Sequence, residues 1–258
     1  MKYYEGRFSG KRAVVTGASA GIGKAAALRL AKEGARVGLI SWAKEELEGV
    51  AHQITTEGGV AIPLFADVSN EDQISKAIDT AAKAWGGLDI VVSNAGIELP
   101  FEDNTTDAVP FSVWQKIVNV NLTGQFLSCK YGLRHLLAAG GGAVVMVASP
   151  CGEKGFCFKE HAYTASKGGV MSLMKVMALD YIAHNIRVNA VIPGMIDTPM
   201  NAHVMSDPEL LKMWTSTIPI KRAGTADETA AVILFLLSDE AAYVVGSAWA
   251  VDGGQLAG

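Results

Sequence analysis

The sequence lacks both a surplus of basic charge and a long apolar run. Among its 258 residues, 22 lysines and arginines stand against 26 aspartates and glutamates, and the net charge is −4. Such a chain has no basic footprint for nucleic acid or for an anionic membrane. The longest strongly apolar stretch, Ala230 to Leu237, is far shorter than the about 20 residues that cross a bilayer.

Cysteine is scarce as well. The chain has three cysteines, Cys129, Cys151 and Cys157, an odd number without the spacing of a metal site. We therefore expect free thiols and no metal, as is typical of a reducing cytoplasm. A cross-link or chelate between Cys151 and Cys157 is the alternative. The first residues, MKYYEGRFSGKR, contain no apolar core of a secretory signal, which also favours a cytoplasmic protein.

Glycine and short apolar segments are abundant instead. Half of the residues are hydrophobic and 28 are glycine, and no long linker or repeat interrupts the chain. Strand-like and helix-like segments alternate from end to end. Seven segments are predicted as strands: RAVVTG, ARVGLIS, VAIPLFA, LDIVVSNAG, GAVVMVAS, IRVNAVIPG and SAWAVDGG. This alternation predicts a single α/β domain over residues 1–258, a doubly wound parallel sheet with helices on both faces.

The helices between these strands follow from capping residues and periodicity. Asn70 is predicted to cap one helix, and Gly58 and Gly59 to end another. Three further helices are predicted over residues 24–33, 111–139 and 161–184.

One segment, Met195–Arg222, breaks the alternation. Ser206 and Pro208 are expected to start a short helix in it, and a capping box over Thr225–Glu228 should start the next one. Because the segment follows the carboxyl end of a strand, where open α/β sheets bind ligands, we expect it to form a mobile substrate lid.

The segment TGASAGIG joins the first strand to the first helix, with glycines at 17, 21 and 23. Glycines at such a turn let a pyrophosphate approach backbone N–H groups at the positive end of a helix. Asp67, Asn94 and residues 193–199 follow other strands and should lie at the same edge of the sheet. These loops predict a dinucleotide site, in which Asp67 could accept from an adenine amino group.

The segment HAYTASKGG places Tyr163 one helical turn before Lys167. In a helix the two side chains share a face. An ammonium group beside a phenol stabilises the phenolate and lowers the tyrosine pKa from its ordinary value of about 10. Such a pair can move protons near neutral pH. By itself, a pair with this spacing is more often an ordinary surface pair, so the rest of the chain must decide.

Taken together, the motifs resemble the short-chain dehydrogenase/reductase family over nearly the whole chain. They are TGASAGIG, SNAG, NVNLTG, Ser149, YTASK and IPGMIDTP, in the family's order and spacing. Ser93 stands where the family usually has asparagine. The resemblance implies a Rossmann-like fold and an oxidoreductase that uses NAD or NADP.

The resemblance also implies a catalytic tetrad of Asn121, Ser149, Tyr163 and Lys167. In it Tyr163 is the acid/base, and Ser149 orients the substrate oxygen. Lys167 favours the phenolate and contacts the nicotinamide ribose, while Asn121 holds a water on the proton path. The full set of expected cofactor contacts is Gly17, Ser19, Gly21, Ile22, Gly23, Ser41, Trp42, Asp67, Val68, Asn94, Ala95, Gly96, Tyr163, Lys167, Pro193, Gly194, Ile196 and Thr198.

Cofactor preference should be set just past the second strand. NAD-specific relatives carry aspartate at the position of Ser41, and many NADP-specific ones carry arginine at the position of Trp42. Neither selector is present, while Lys24 and Lys44 could lend charge to a 2′-phosphate. We therefore expect dual use of NAD and NADP, or a mild NADP preference.

The substrate is less well defined. The segments from Glu153 and from Ile196 resemble those of bacterial glucose 1-dehydrogenases, and carboxylates such as Glu98 and Glu153 accept hydrogen bonds from sugar hydroxyls. Both could equally be solvated loop charges, and His161 is a further candidate contact. Oxidation of an aldose at C1 is the favoured hypothesis. Reduction of a ketone or a 3-oxoacyl thioester is the alternative, and a cofactor-sensing regulator without turnover is one of a different class.

The resemblance implies a homotetramer or dimer as well, built on the helices near 111–139 and 161–184. The second of these carries more apolar residues than one face against a sheet requires. They are Val170, Leu173, Met174, Met177 and Tyr181. A core position for all of them is the alternative.

Overall fold

A computed structural model describes residues 4–155 and 157–257. Its strands are β1 (Arg12–Thr16), β2 (Arg36–Ser41), β3 (Val60–Phe65), β4 (Ile90–Ser93), β5 (Gly142–Val147), β6 (Ile186–Pro193), β7 (Ile196–Asp197), β8 (Gly224–Thr225) and β9 (Ala248–Val251). Its α-helices are α1 (Gly21–Lys32), α2 (Lys44–Thr56), α3 (Glu71–Trp85), α4 (Phe111–Val118), α5 (Gly124–Ala139), α6 (His161–Tyr181), α7 (Ala202–Met205), α8 (Pro208–Ser216) and α9 (Ala226–Leu237). Within these ranges, no helix is both long and apolar enough to cross a membrane.

The main sheet has seven parallel strands in the order β3-β2-β1-β4-β5-β6-β9. The seven predicted strands and the Rossmann-like fold are thus confirmed. After β3 the chain crosses back over the sheet, and β4 pairs with the side of β1 that β2 leaves free, with Ala13 opposite Ile90. Open α/β sheets bind ligands in the crevice at this reversal, at the carboxyl ends of the strands.

Helices cover both faces of the sheet and give two cores. Val14 and Ile40 point to the side of α3, α5 and α6. Val15, which follows Val14, and Leu39, which precedes Ile40, point to the side of α1, α2 and α9. Because successive side chains alternate between the faces, a strand buried on both sides needs apolar residues throughout. This explains the unbroken valine and isoleucine runs of the sequence.

Capping side chains define several helix ends, as predicted. Asn70 Oδ1 accepts the backbone N–H of Gln73 at 3.1 Å at the start of α3. Thr225 and Glu228 form the expected capping box at the start of α9. At α8, Asp207 is the cap rather than Ser206, and its Oδ1 accepts from the N–H groups of Glu209 and Leu210. Pro208 is the first helical residue, so the residue directly before it, Asp207, takes the N-cap position.

The long helix predicted over 111–139 is divided. A π-helical turn, Asn119–Thr123, separates α4 from α5. Such one-turn π segments occur frequently at functional sites. The helix predicted over 161–184 ends as an α-helix at Tyr181 and continues as a 3₁₀ turn, Ile182–His184.

The interface residues expected on α6 are largely core residues. Val170 and Met174 are fully buried and Met177 is 7% exposed, all in the core on this side of the sheet. Leu173 and Tyr181 are partly buried against the same core. The helix turns Val176 and Leu179 outward instead, with exposures of 58% and 77%.

The prediction of free thiols is wrong for two of the three cysteines. Cys151 and Cys157 are joined in a disulfide, with their Cα atoms 5.5 Å apart. The loop between β5 and α6 returns on itself, which brings the two Cα atoms to the spacing that a disulfide requires. Cys129 is a buried free thiol whose pKa burial raises to about 12. The cytoplasmic location stays a prediction.

Candidate active site

A cavity of about 870 Å³ lies at the carboxyl ends of the strands. All but one of the expected cofactor residues line it: Gly17, Ser19, Gly21, Ile22, Ser41, Trp42, Asp67, Val68, Asn94, Ala95, Gly96, Tyr163, Lys167, Pro193, Gly194, Ile196 and Thr198. The exception, Gly23, lies beneath the first turn, where a Cβ would stand 2.2 Å from the Gly17 carbonyl oxygen. Gly23 therefore allows the turn to form rather than facing a ligand.

The turn between β1 and α1 fits a pyrophosphate group. Helix α1 begins without a side-chain cap and without an acidic residue in its first turn, so its first N–H groups can bind an anion. Gly17 has a positive φ of 66°, and a Cβ there would lie 2.7 Å from Asn94 Nδ2. Asn94 in turn donates to the Thr16 carbonyl at 2.9 Å, which ties β4 to this turn.

Directly after β2, at the end of the cavity where the adenosine is expected, no charged side chain lines the cavity to select between NAD and NADP. The hydroxyls of Ser19 and Ser41 lie 3.0 Å apart, and Ser41 Oγ also accepts from the Ala43 N–H. The Trp42 side chain is 77% exposed. Lys44 lies over the ring of Phe65, with Nζ 5.4 Å from the centroid.

Asp67 borders the same end of the cavity from the loop after β3. Its Oδ1 accepts from the N–H and the hydroxyl of Ser69, at 2.9 and 2.7 Å. These local bonds fix the direction of the carboxyl group in an otherwise exposed loop.

Three members of the expected tetrad meet on the cavity wall. Ser149 follows β5, while Tyr163 and Lys167 lie one turn apart on α6, and all three are less than 9% exposed. The Ser149 hydroxyl lies beside the Tyr163 phenol and acts to lower its pKa. Lys167 Nζ donates to the Val147 carbonyl at 2.9 Å and lies 5.7 Å from the centroid of the Tyr163 ring.

The expected lowering of the Tyr163 pKa does not arise from the protein alone. Burial raises this pKa, and the negative charge of Glu98 raises it further. The hydrogen bond from Ser149 acts in the opposite direction. Burial also lowers the pKa of Lys167 to about 8. Desolvation disfavours the charged form of each group, and in this pair it dominates over their mutual attraction.

Asn121, the fourth member, lies in the π-helical turn and does not line the cavity. Its Oδ1 accepts from the Ile97 N–H at 2.7 Å, and its Nδ2 donates to the Ile97 carbonyl at 2.9 Å. The side chain therefore clamps the loop after β4. A Cβ on Gly96 would stand 3.3 Å from Asn121 Oδ1 and 3.4 Å from Lys167 Nζ. Glycine at 96 thus lets the cofactor-side loop approach both groups closely.

Of the expected substrate contacts, Glu98 lines the cavity while Glu153 and His161 do not. Glu153 is exposed on the far side of its loop. His161 Nδ1 is hydrogen-bonded to the Thr106 hydroxyl at 2.8 Å. Closeness in sequence to Tyr163 does not determine whether a side chain of this loop faces the cavity, since Cys157 and Glu160 of the same segment do line it.

A carboxyl pair that the sequence did not reveal faces the same cavity. Glu160 lines it and is hydrogen-bonded to Glu98. Burial, followed by the charge of Glu98, raises the pKa of Glu160 to about 8. Burial also raises the pKa of Glu98, against smaller opposing effects that include the charges of His203 and Lys167. Two carboxyls in contact cannot both ionise easily, so the pair holds a shared proton at neutral pH.

The cavity wall near this pair also contains the disulfide and residues of the predicted lid. Cys151 and Cys157 lie on the wall, and their sulfurs and a Glu160 carboxylate oxygen lie within 4.8 Å of one another. Because the sulfurs are bonded to each other, they are not thiolate ligands. The segment predicted as a lid adds Met195, Pro199, Met200, Asn201, His203, Val204 and Trp214.

Comparison with known proteins gives the family. A family model described as enoyl-(acyl carrier protein) reductase matches residues 17–255. A glucose 1-dehydrogenase of Gluconobacter oxydans is 38% identical over 254 residues, 97% of this chain and 94% of that protein. A cis-4-hydroxycyclohexanecarboxylate dehydrogenase of Sinomonas cyclohexanicum is 40% identical over 250 residues, 97% of this chain and 98% of that protein. The chain belongs to the short-chain dehydrogenase/reductase family.

A solved structure agrees with this assignment. A crystal structure from Beutenbergia cavernae, described as a putative NAD(P)-dependent gluconate 5-dehydrogenase with bound NADP, has a TM-score of 0.91. It is 32% identical, and the match covers all of both chains. The chain is thus an NAD(P)-dependent oxidoreductase that acts on CH–OH groups.

Proposed function

We propose that this enzyme oxidises a secondary alcohol on a neutral, hydroxyl-rich ring, with an aldose at C1 as the favoured substrate. The observation that carries this proposal is the Glu98–Glu160 pair, which faces the same cavity as Ser149 and Tyr163. A carboxyl pair that shares one proton both donates and accepts hydrogen bonds. It therefore suits a substrate with several hydroxyl groups.

In this proposal Tyr163 takes the proton of the reacting hydroxyl, and Ser149, which lies beside Tyr163 on the cavity wall, orients the substrate oxygen. A nicotinamide cofactor held by the residues of this cavity would supply the hydride acceptor and, in its oxidised form, a positive charge. That charge and Lys167 favour the phenolate of Tyr163 against the effect of burial. Asn121 keeps the loop after β4 in place against Lys167.

Electrostatics favours a neutral substrate over an anionic one. The two curated relatives act, by their names, on glucose and on a hydroxycyclohexane carboxylate. A substrate carboxylate beside the Glu98–Glu160 pair would meet charge of its own sign in a partly buried cavity, which typically costs several kcal/mol. The pair therefore supports a neutral sugar or ring alcohol rather than a ring acid.

The alternative of an acyl-thioester reductase has less support. Of the three basic residues near the lid that could receive a phosphopantetheine chain, Lys212, Lys221 and Arg222, the last two already have partners. Arg222 is paired with Glu228 at 2.7 Å, and Lys221 Nζ donates to the Ser216 carbonyl. A regulator without turnover is disfavoured because Ser149, Tyr163 and Lys167 meet on one wall.

Two further properties belong to the proposal. We expect dual use of NAD and NADP, because Ser41 places a hydroxyl, not a carboxylate, past β2. We also expect a homo-oligomer, in which the exposed Val176 and Leu179 of α6 and Phe126 of α5 are covered. Light scattering of the wild type and of Leu179→Glu tests the second point.

The substrate proposal is tested with a panel of alcohols and both cofactors. The panel contains D-glucose, L-rhamnose, cyclohexanol and cis-4-hydroxycyclohexanecarboxylate, and reduction of NAD and NADP is followed by absorbance. We expect turnover of a neutral ring alcohol with either cofactor. Activity only with 3-oxoacyl esters and reduced cofactor would overturn the substrate assignment. Cofactor binding without any turnover would support the regulator.

A further inference from the structure

Helix α6, which carries Tyr163 and Lys167, begins without a cap of its own. The residue at its N-cap position, Glu160, makes no capping hydrogen bond with its side chain. That side chain is instead bonded to Glu98 at the cavity. The first turn of α6 also has no acidic residue. The first N–H groups of a helix have no acceptor within the helix, so they must find one elsewhere.

Asp103 supplies that acceptor from 59 and 60 residues earlier in the chain. Its Oδ1 accepts from the Ala162 N–H at 3.2 Å, and its Oδ2 accepts from the Tyr163 N–H at 2.9 Å. Asp103 is 4% exposed and Ala162 fully buried. A buried donor without a partner is strongly unfavourable, so water cannot simply replace the carboxylate.

Asp103 is itself held firmly in place. Its Oδ1 also accepts from the Asn104 N–H at 2.8 Å, and its own N–H donates to the Leu99 carbonyl at 2.7 Å. Leu99 is the neighbour of Glu98. One carboxylate therefore connects the wall that carries Glu98 to the backbone nitrogen of Tyr163.

We propose that Asp103 is a positioning residue that fixes the phenol of Tyr163 relative to Ser149 and the substrate wall. The proposal rests on the function proposed above, in which Tyr163 is the acid/base. Tyr163 is the third residue of α6, so fraying of the first turn would displace it directly. A misplacement of about 1 Å can lower a rate by about 100-fold.

The test compares Asp103→Ala and Asp103→Asn with Asp89→Ala. Asp89 is a matched control, because it also accepts a backbone N–H, that of Arg12, at 2.8 Å. It lies at the amino ends of β1 and β4, the opposite edge of the sheet from the cavity. Its loss should lower the melting temperature without disturbing Tyr163.

Two measurements are made on each protein. Hydrogen exchange of residues 157–167 reports the first turn of α6. Turnover of D-glucose and of cyclohexanol, each with hydrogen or deuterium on the reacting carbon, gives kcat and the primary isotope effect. For Asp103→Ala we expect faster exchange, a kcat lower by about 100-fold and a larger isotope effect, with unchanged NADP affinity. Asp103→Asn keeps one acceptor oxygen and should lose about 10-fold in kcat.

The outcomes separate this proposal from the one on which it rests. An isotope effect and kcat for Asp103→Ala that match those of Asp89→Ala would overturn the positioning role. If Asp103→Ala does not fold, Asp103→Asn decides by the same criteria. If the wild type oxidises neither alcohol, the proposed function fails on its own. Exchange then decides for Asp103, since unchanged protection of the Tyr163 amide in Asp103→Asn contradicts the proposal and faster exchange supports it.

Discussion

The two ends of the cavity, which we propose hold the cofactor and the substrate, are built in different ways. The cofactor end consists of turns that directly follow strands, such as Gly17 after β1 and Asn94 after β4. The substrate end is assembled from segments far apart in the chain, joined through side chains, as in the contact of Glu98 with Glu160. The sheet determines where residues of the cofactor end lie, whereas the packing of loops determines where residues of the substrate end lie.

The difference extends to electrostatics. The cofactor end offers free helix N–H groups and hydroxyls, which suit an anionic ligand. The substrate end concentrates carboxyl groups and buries them, so that the pKa of Glu160 rises to about 8. Tyr163 and Lys167 lie where the two ends meet. Burial raises the pKa of Tyr163 and lowers that of Lys167, and both shifts favour the neutral form of the side chain.

The largest effect is expected where the two ends meet. Tyr163→Phe removes the phenol oxygen and keeps the ring that packs beside Lys167. We expect kcat to fall by about 1000-fold or more, because the proton acceptor is lost. NADP affinity, measured by calorimetry, should stay within about threefold of the wild-type value, well under the 1.4 kcal/mol that corresponds to a factor of ten. A variant that retains a tenth of the wild-type rate would refute the role of Tyr163.

A change at the cofactor end should alter cofactor choice alone. Ser41→Asp places a carboxylate beside the expected adenosine ribose, where it accepts from the hydroxyls of NAD and repels the 2′-phosphate of NADP. We expect the ratio of kcat/KM for NAD over NADP to rise by about 100-fold, or about 2.7 kcal/mol.

Ser41→Asn is the matched control, with nearly the same shape and no charge. It should shift the ratio far less than Ser41→Asp. Equal shifts in the two variants would show that charge at this position does not select the cofactor, and would place the ribose elsewhere.

A smaller effect at the substrate end should appear in stability. The pKa of Glu160 is raised in the folded protein, so between about pH 4.5 and pH 8 the folded state binds more protons than the unfolded one. Stability from this group is present below that range and is lost as the pH rises through it. The glutamine of Glu160→Gln cannot lose a proton. The free energy of unfolding of this variant relative to the wild type should therefore be roughly 1–3 kcal/mol higher at pH 8 than at pH 5.

Urea unfolding at the two pH values measures this difference. The exposed Glu153 provides the control, and Glu153→Gln should follow the wild type at both. A Glu160→Gln variant with the same pH dependence as the wild type would show that the pair is not buried as described here.

The features that the sequence predicts correctly lie mostly at the cofactor end, and those that it does not lie mostly at the substrate end. The sequence predicts all seven strands of the main sheet and the cap at Asn70, and nearly every residue expected to bind the cofactor lines the cavity, because strand ends and glycine turns have local signatures. At the substrate end, Glu153 and His161 were expected in the cavity and lie outside it. Distance along the chain does not give the direction of an irregular loop.

Glu160 and Asp103 were missed for a related reason. Both are single acidic residues in loops, and their roles depend on partners 59 to 62 positions away, such as Glu98 for Glu160 and Tyr163 for Asp103. The odd cysteine count favours free thiols, whereas in the folded chain a loop that returns on itself joins Cys151 to Cys157 in a disulfide. Contacts of this kind require the folded chain.

The central claim is that the Glu98–Glu160 pair selects a neutral ring substrate. The most direct measurement is the ratio of kcat/KM for D-glucose over D-glucuronate, in the wild type and in the Glu98→Gln/Glu160→Gln double variant. The two sugars react at the same carbon and differ by one carboxylate. We expect a ratio above about 30 in the wild type, which corresponds to about 2 kcal/mol, and a ratio within about threefold of unity in the double variant. A wild type that oxidises both sugars equally well, or a double variant that keeps the full preference, would contradict it.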